Sequence, residues 1–268
     1  MVQTLRVEWL KVRSYRTFWI LLGMTILSIP GLTYMLFDLM KNSFPRGKGT
    51  AILGSPFALP DAWQTVSWNS TLLFILPAIL IITLTTNEFT YKTHRQNIID
   101  GWSRGQFIGV KLFEILLLTV LCTLVVFATT LIFGAVVNKL PAGVTMWQGC
   151  RFLFFYFVQL ISYSTIAFLM ALLIRRAGLS IAAFLIYMLA ENIVVGIFRN
   201  LYKLNGVDYL PEEVTDRLIP QPYLRKVLQT PADATRWEHH LPVYLGVAAL
   251  YLIIYCVIAG KRFTTSDL

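Results

Sequence analysis

Residues 87–111 read NEFTYKTHRQNIIDGWSRGQFIGVK, a polar stretch set between two strongly apolar ones. Its interior is patterned like folded structure. Ser103 and Gln106 have the S-x-x-Q spacing of a capping box, in which the serine oxygen takes the N3 amide and the glutamine reaches back to the N-cap amide. Trp102 and Phe107 fall at the N′ and N4 positions of a hydrophobic staple, so a helix is predicted to start near Arg104. Upstream, Ile98 and Ile99 sit among polar residues and are closed off by Gly101, a residue suited to ending a helix in the left-handed conformation. The spacing predicts a short helix, a tight turn and a long helix. Two isoleucines on a polar surface are the mark of a place where another protein docks.

The flanks decide the class. Of 268 residues 56% are hydrophobic and only 14% charged, with a mean hydropathy of +0.64, whereas a soluble domain is about 45–50% apolar. The chain reads as an all-α polytopic membrane protein, a single transmembrane domain over residues 1–268. Apolar segments fall at 17–39, 64–86, 106–137, 152–174, 179–198 and 243–260. A helix needs about 20 residues to cross a hydrocarbon layer of about 30 Å, so these predict six transmembrane helices. The first is too long for a signal peptide, and Asp38-Leu39-Met40-Lys41 offers no A-x-A cleavage site, so it is expected to stay as an anchor. Counted from Ser103, the third helix runs to about 34 residues, roughly 50 Å, and is expected to project beyond the bilayer.

Positive charge sets the orientation. With the N-terminus inside, twelve Lys and Arg residues lie on that side. The opposite short loops hold five, namely Lys41, Arg46, Lys48, Lys139 and Arg151. Both termini and residues 87–105 are therefore expected in the cytoplasm of a cell that carries the chain in its inner (cytoplasmic) membrane. Within residues 1–16, Val2, Leu5, Trp9 and Val12 share a helical face ringed by Arg6, Lys11, Arg13 and Arg16, the pattern of a helix lying among headgroups; a plain extension of the first span is the other reading. The loop 199–241 carries equal numbers of acids and bases. Pro211, Pro222 and Pro231 each precede a helix-compatible run, and two or three short helices are expected over the outer mouth. Its Tyr209, Leu210, Ile219, Tyr223, Leu224 and Trp237 suit packing against headgroups or a partner copy. The net charge of +9 is spread along loop ends, which fits anionic lipid headgroups and not nucleic acid. Cys122, Cys150 and Cys256 have no metal or redox spacing.

Glu88, Thr93 and Arg95, followed by Gly101, Ser103, Arg104 and Lys111, resemble the cytoplasmic loop between the second and third membrane helices of ABC-2 type transport permeases. The small G-T pair usual there stands here as Lys92-Thr93. The resemblance implies a type V-like six-helix fold with an N-terminal elbow helix, a coupling helix between spans 2 and 3, and an external cap between spans 5 and 6. It also implies an exporter in which a separate ABC ATPase, present in two copies and holding ATP and Mg2+, drives two permease protomers in a homo- or heterodimer. In that family the second and fifth spans of two protomers form the path, which nominates Asn69, Thr71, Pro77, Glu191 and Asn192 to line it. The class moves amphiphilic cargo such as lipids, peptides or antibiotics, and self-protection against peptide antibiotics is a related role.

The chain's own chemistry is consistent with a non-catalytic subunit. It has no G-x-x-x-x-G-K-[ST] loop to cradle phosphates, so ATP hydrolysis belongs to another chain and no cofactor is expected on this one. The coupling residues are then Ile98 and Ile99 in an apolar groove of the ATPase, with Glu88, Thr93, Arg95, Asp100, Gly101, Ser103 and Arg104 around them. A solvated connector is the alternative. Glu191 and Asn192 lie inside the fifth span, where a carboxylate costs a few kcal/mol and marks a functional or buried polar contact. Glu191 either ties helices together, for example through Ser162 to Thr165, or lines the path. Pro77 predicts a kink in the second span. Arg175, Arg176 and Gly178 predict a tight turn. Two other functions compete: an intramembrane protease or lipid-modifying enzyme using Glu191 with His239 or His240, and a non-transporting assembly or motility partner. The enzyme lacks H-E-x-x-H spacing, and no catalytic or metal-binding residue is assigned.

Overall fold

The computed structural model describes residues 2–43, 56–137, 143, 145–203, 205–223 and 231–265. Arg46, Lys48, Lys139 and Leu224 lie outside the described residues, as do the side chains of Val2 and Leu5. All regular structure among them is helical. In order come α1 (Val2–Arg13), α2 (Arg16–Ser43), α3 (Asp61–Thr71), α4 (Ile75–Thr90), α5 (Thr93–Ile99), α6 (Arg104–Val137), α7 (Arg151–Ile174), α8 (Ala177–Asn200), a 3-10 turn (Asn205–Tyr209), α9 (Glu213–Asp216) and α10 (Pro231–Thr265).

Five helices (α2, α6, α7, α8 and α10) are long and apolar enough to cross a membrane, and α3 with α4 makes a sixth crossing if the bent pair counts as one. The chain is a multi-pass membrane protein. The second span, expected over 64–86 with a kink at Pro77, is two helices: α3 and α4 meet at 47°. Pro77 explains where the break falls. It has no amide to offer the Leu73 carbonyl one turn earlier, and that carbonyl instead accepts from the Leu76 N–H at 3.0 Å.

Helix α6 has 34 residues, about 51 Å, as its cap and apolar run predict. Helix α10 differs from expectation. It starts at Pro231, a favoured first helical position, and continues through Pro242 to Thr265, so residues 231–241 are its first turns and not loop. The segment between α8 and α10 therefore holds one 3-10 turn and one short α-helix among the described residues.

Helix α7 is the centre of the bundle. It packs against α3, α4, α6, α8 and α10, and its apolar window is 67% buried against 17% for α8 and 11% for α10. The last two thus leave most of their apolar surface to lipid or to a partner chain. The bundle has two ends. One carries α1, α5 and the turn at Arg175, which adopts φ +59; the other carries α9 and the 3-10 turn.

Candidate functional site

Residues 90–106 form the short helix, turn and long helix that the sequence predicts. Gly101 is left-handed at φ +94. The Gly101 N–H donates to the Ile98 carbonyl and the Trp102 N–H to the Asn97 carbonyl, each at 3.0 Å, which is the paired bonding of a Schellman stop. The capping box closes reciprocally: the Gln106 N–H donates to Ser103 Oγ at 3.1 Å and the Ser103 N–H to Gln106 Oε1 at 2.9 Å. Phe107 is buried and stacks on Phe263 at 4.5 Å between centroids, while Trp102 lies beneath the Lys11 ammonium at 5.7 Å. The two isoleucines do not share a surface. Ile99 is 77% exposed, whereas Ile98 packs against the core, because consecutive helical residues point about 100° apart. Arg95, Asp100, Gly101 and Ser103 are exposed around Ile99, and Arg104 reaches the Phe263 carbonyl at 3.4 Å.

Beneath this turn lies a buried charge cluster. Lys111 Nζ stands 2.8 Å from Glu8, 3.2 Å from Glu88 and 3.2 Å from Glu114. Lys11 adds bonds to Glu8 at 2.8 Å and to Asn97 Oδ1 at 3.1 Å, and approaches Glu88 at 3.5 Å. The Thr93 hydroxyl donates to the Glu88 carboxylate, and His94 Nδ1 meets the Glu88 backbone carbonyl at 2.8 Å. Glu8, Glu88, His94, Asn97 and Lys111 are all buried. Burial alone raises the Glu8 carboxyl, but the Lys111 charge and the hydrogen bonds from both lysines win and hold it down at about 2. The cluster ties α1 to the end of α4, to α5 and to the start of α6. Glu88 and Thr93 are thus internal bonding partners beneath the turn, and the exposed surface is left to Arg95, Ile99 and Asp100.

Sequence reasoning placed Glu88 and Thr93 here but passed over Glu8, Glu114, His94 and Asn97. One signal was readable. Lys111 and Glu114 stand three residues apart at the start of an apolar run, and ionisable residues at such depth face inward and find partners.

At the opposite end, Glu191 Oε1 accepts the backbone N–H groups of Glu212 at 2.6 Å and Glu213 at 3.0 Å. It caps α9. Of the partners suggested on the fourth span, Ser162 and Thr165 bond carbonyls of their own helix and Tyr163 bonds Asp216, while Ser164 Oγ is buried without a hydrogen-bond partner among the described residues; the contact of Glu191 runs to the segment between α8 and α10 instead. Asn192 turns away, exposed, and bonds the Met188 carbonyl at 2.9 Å. Asp216 fastens the same segment to α7, accepting from Gln159 at 2.6 Å and Tyr163 at 2.8 Å. Burial pushes the Asp216 carboxyl up to about 7 against these hydrogen bonds. Burial, with the nearby Glu191 and Asp216 charges, pushes Glu212 up to about 9. Asn69 is buried and accepts from the Tyr223 hydroxyl at 2.5 Å, Thr71 bonds the Trp68 carbonyl at 2.8 Å, and Pro77 is buried in α4. Within one chain α4 packs on α8. Glu191 thus contacts the α9 segment, while His240 stacks on Tyr244. No group of three or more metal-ligating side chains occurs among the described residues.

Residues 4–191 match the family model described as ABC-2 family transporter protein. No curated protein matches the chain.

Proposed function

Because the chain belongs to the ABC-2 family of transporter proteins, we propose that it is the membrane-spanning permease subunit of an ATP-driven ABC exporter. A separate ATPase, in two copies that hold ATP and Mg2+, drives movement of an amphiphilic lipid, peptide or antibiotic-like substrate. Two protomers, like or unlike, enclose the conduit, with Asn69, Thr71, Pro77, Glu191 and Asn192 along it and the α9 segment over its outer mouth. The chain itself catalyses nothing. It sits in the inner (cytoplasmic) membrane with both termini and α5 facing the cytoplasm.

One observation carries this reading: an exposed isoleucine, Ile99, rides on a short helix whose underside is fastened by Glu88, Thr93 and Lys111. A push at Ile99 is delivered into α1, α4 and α6 and is not absorbed by a loose loop. A plain connector needs neither a Schellman stop nor a buried ionic base. The test is affinity capture of the tagged chain from native membranes under mild detergent. A co-purifying ATPase with a phosphate-binding loop, whose hydrolysis rises when the permease is present, is the expected result. Recovery of the chain without any ATPase, in a form active alone, overturns the proposal.

A further inference from the structure

Helix α5 leaves α4 through Tyr91 and Lys92, and two sets of contacts hold the two helices together across that break. One is polar: the Glu88 carboxylate takes the Thr93 hydroxyl and is fixed by Lys111. The other is aromatic. The rings of Phe89, in the last turn of α4, and His94, in the first turn of α5, lie 4.8 Å apart between centroids at an interplanar angle of 44°. His94 is buried, and its Nδ1 meets the Glu88 backbone carbonyl at 2.8 Å. The imidazole cannot turn away from Phe89 without giving up that bond.

A third group joins the aromatic set from far along the chain. The Arg175 guanidinium lies over the Phe89 ring, 5.2 Å from its centroid, inside the reach of about 6 Å at which a cation is attracted to an aromatic face. Arg175 stands between the last residue of α7 and the start of α8. Its backbone is left-handed at φ +59, a conformation that helix stops usually assign to glycine. Gly178 is close by, yet it lies within α8 and leaves the stop to an arginine. A residue with a side chain persists in such a place where its surroundings over-determine it. Here the side chain is half-buried and engaged on Phe89. Arg176, next to it, is exposed and extended at φ −131.

We propose that Arg175 is a positioning residue for α5: by seating Phe89 against His94 it fixes α5, and with it Ile99, in the orientation on which an ATPase docks. The central helix α7 thereby holds the docking helix from its own end, separately from the Lys111 cluster that ties it to α1 and α6. Ordering a docking element beforehand lowers the cost of ordering it on binding. The inference rests on the reading of Ile99 as a docking residue, whereas the ordering of α5 by Arg175 is a property of this chain alone.

Amide hydrogen exchange over residues 97–102, whose N–H groups bond within α5 and its stop, reads that ordering in the full-length chain in nanodiscs without ATPase. Arg175→Met keeps the length of the side chain and removes its charge; exchange is expected to speed up about two- to fivefold, the worth of a partly exposed cation–π contact. Arg175→Lys keeps a cation and is expected to recover most of the protection. Arg175→Gly suits the left-handed backbone but has no side chain, and is expected to lose protection as Arg175→Met does. On a Phe89→Leu background Arg175→Met is expected to add nothing, because the two residues act through one contact. Arg176→Gln, which removes the neighbouring charge, is expected to leave exchange unchanged. ATPase capture by Arg175→Met, titrated beside the parent, is expected to weaken by a similar factor. Unchanged exchange in Arg175→Met, equal acceleration in Arg176→Gln, an Arg175→Met effect that persists in full on Phe89→Leu, or faster exchange with undiminished capture overturns the inference and leaves the ATPase reading in place. A parent chain that captures no ATPase, with the exchange pattern as expected, overturns that reading instead.

Discussion

Lys111 Nζ lies 3.2 Å from Glu88 Oε1, joining the start of α6 to the last turn of α4 beneath the α5 turn. The same ammonium reaches Glu8 on α1, so one buried cation holds three elements that are distant in sequence. Removing one partner of a buried pair is far more costly than replacing the whole set, because the remaining charges stay buried without compensation. Lys111→Met is therefore expected to destabilise the fold by about 3–5 kcal/mol, read as a large drop in thermal midpoint in detergent micelles. Glu8→Gln, which leaves Glu88 as a partner for both lysines, should cost less. A Lys111→Met protein that melts with the parent would show that the cluster contributes nothing.

Ile98 and Ile99 are expected to separate ATPase binding from folding. Ile99 is exposed, so Ile99→Asp should change stability by no more than about 0.5 kcal/mol while abolishing ATPase capture and stimulation. Ile98 packs inward, and Ile98→Asp places a charge against the core, which should lower stability by about 2 kcal/mol or more and yield little inserted protein. Normal ATPase capture by Ile99→Asp, measured beside the parent in one pull-down, would end the docking role of this helix.

What was legible in the sequence was whatever depends on neighbours along the chain. Ser103, Gln106 and Gly101 wrote the turn in local hydrogen bonds, and apolar run lengths gave the crossings. Pro77 announced the bend, though whether α3 and α4 would remain one rod depends on packing that no local pattern encodes. What escaped was set by meetings between distant segments. Glu8 reads as one more charge on a basic helix until Lys111, 103 residues later, is brought within 2.8 Å of it. Glu191 suggested partners on neighbouring spans, but its partners are two amides of the α9 segment. The length of α10 was hidden because Pro231–Leu241 is too polar to register as a span although it is helical.

Lys92 occupies the position just before α5 with φ +55, the left-handed region. Placing a side chain there costs roughly 1–2 kcal/mol, offset in part by the roughly 0.5–1 kcal/mol of extra backbone entropy that glycine loses on folding. Lys92→Gly is thus expected to stabilise the turn by up to about 1 kcal/mol, and Lys92→Ala, which keeps a Cβ, to give no gain. Amide hydrogen exchange over residues 89–99 reads the difference directly: slower exchange in the glycine variant alone supports backbone relief, and equal slowing in the alanine variant assigns the effect to loss of charge.

Glu212 gives the α9 segment a pH dependence whose sign is fixed by its burial. Its carboxyl is pushed up to about 9 from an ordinary 4.5, so the folded state keeps a proton that the unfolded chain gives up. The associated stability is fully present below about pH 4.5 and is lost progressively as pH rises toward 9. Asp216, raised to about 7, loses its own share between about pH 4 and 7. Both carboxylate oxygens of Glu212 are buried without a hydrogen-bond partner among the described residues, so a neutral amide of the same shape fits the site at least as well. Glu212→Gln is expected to match the parent near pH 4.5 and to melt increasingly above it as pH rises, with the gap widest near pH 9. Melting curves taken from pH 5 to 9 that run parallel for the two proteins would show that Glu212 titrates at its ordinary value, and that the α9 segment is held without a bound proton.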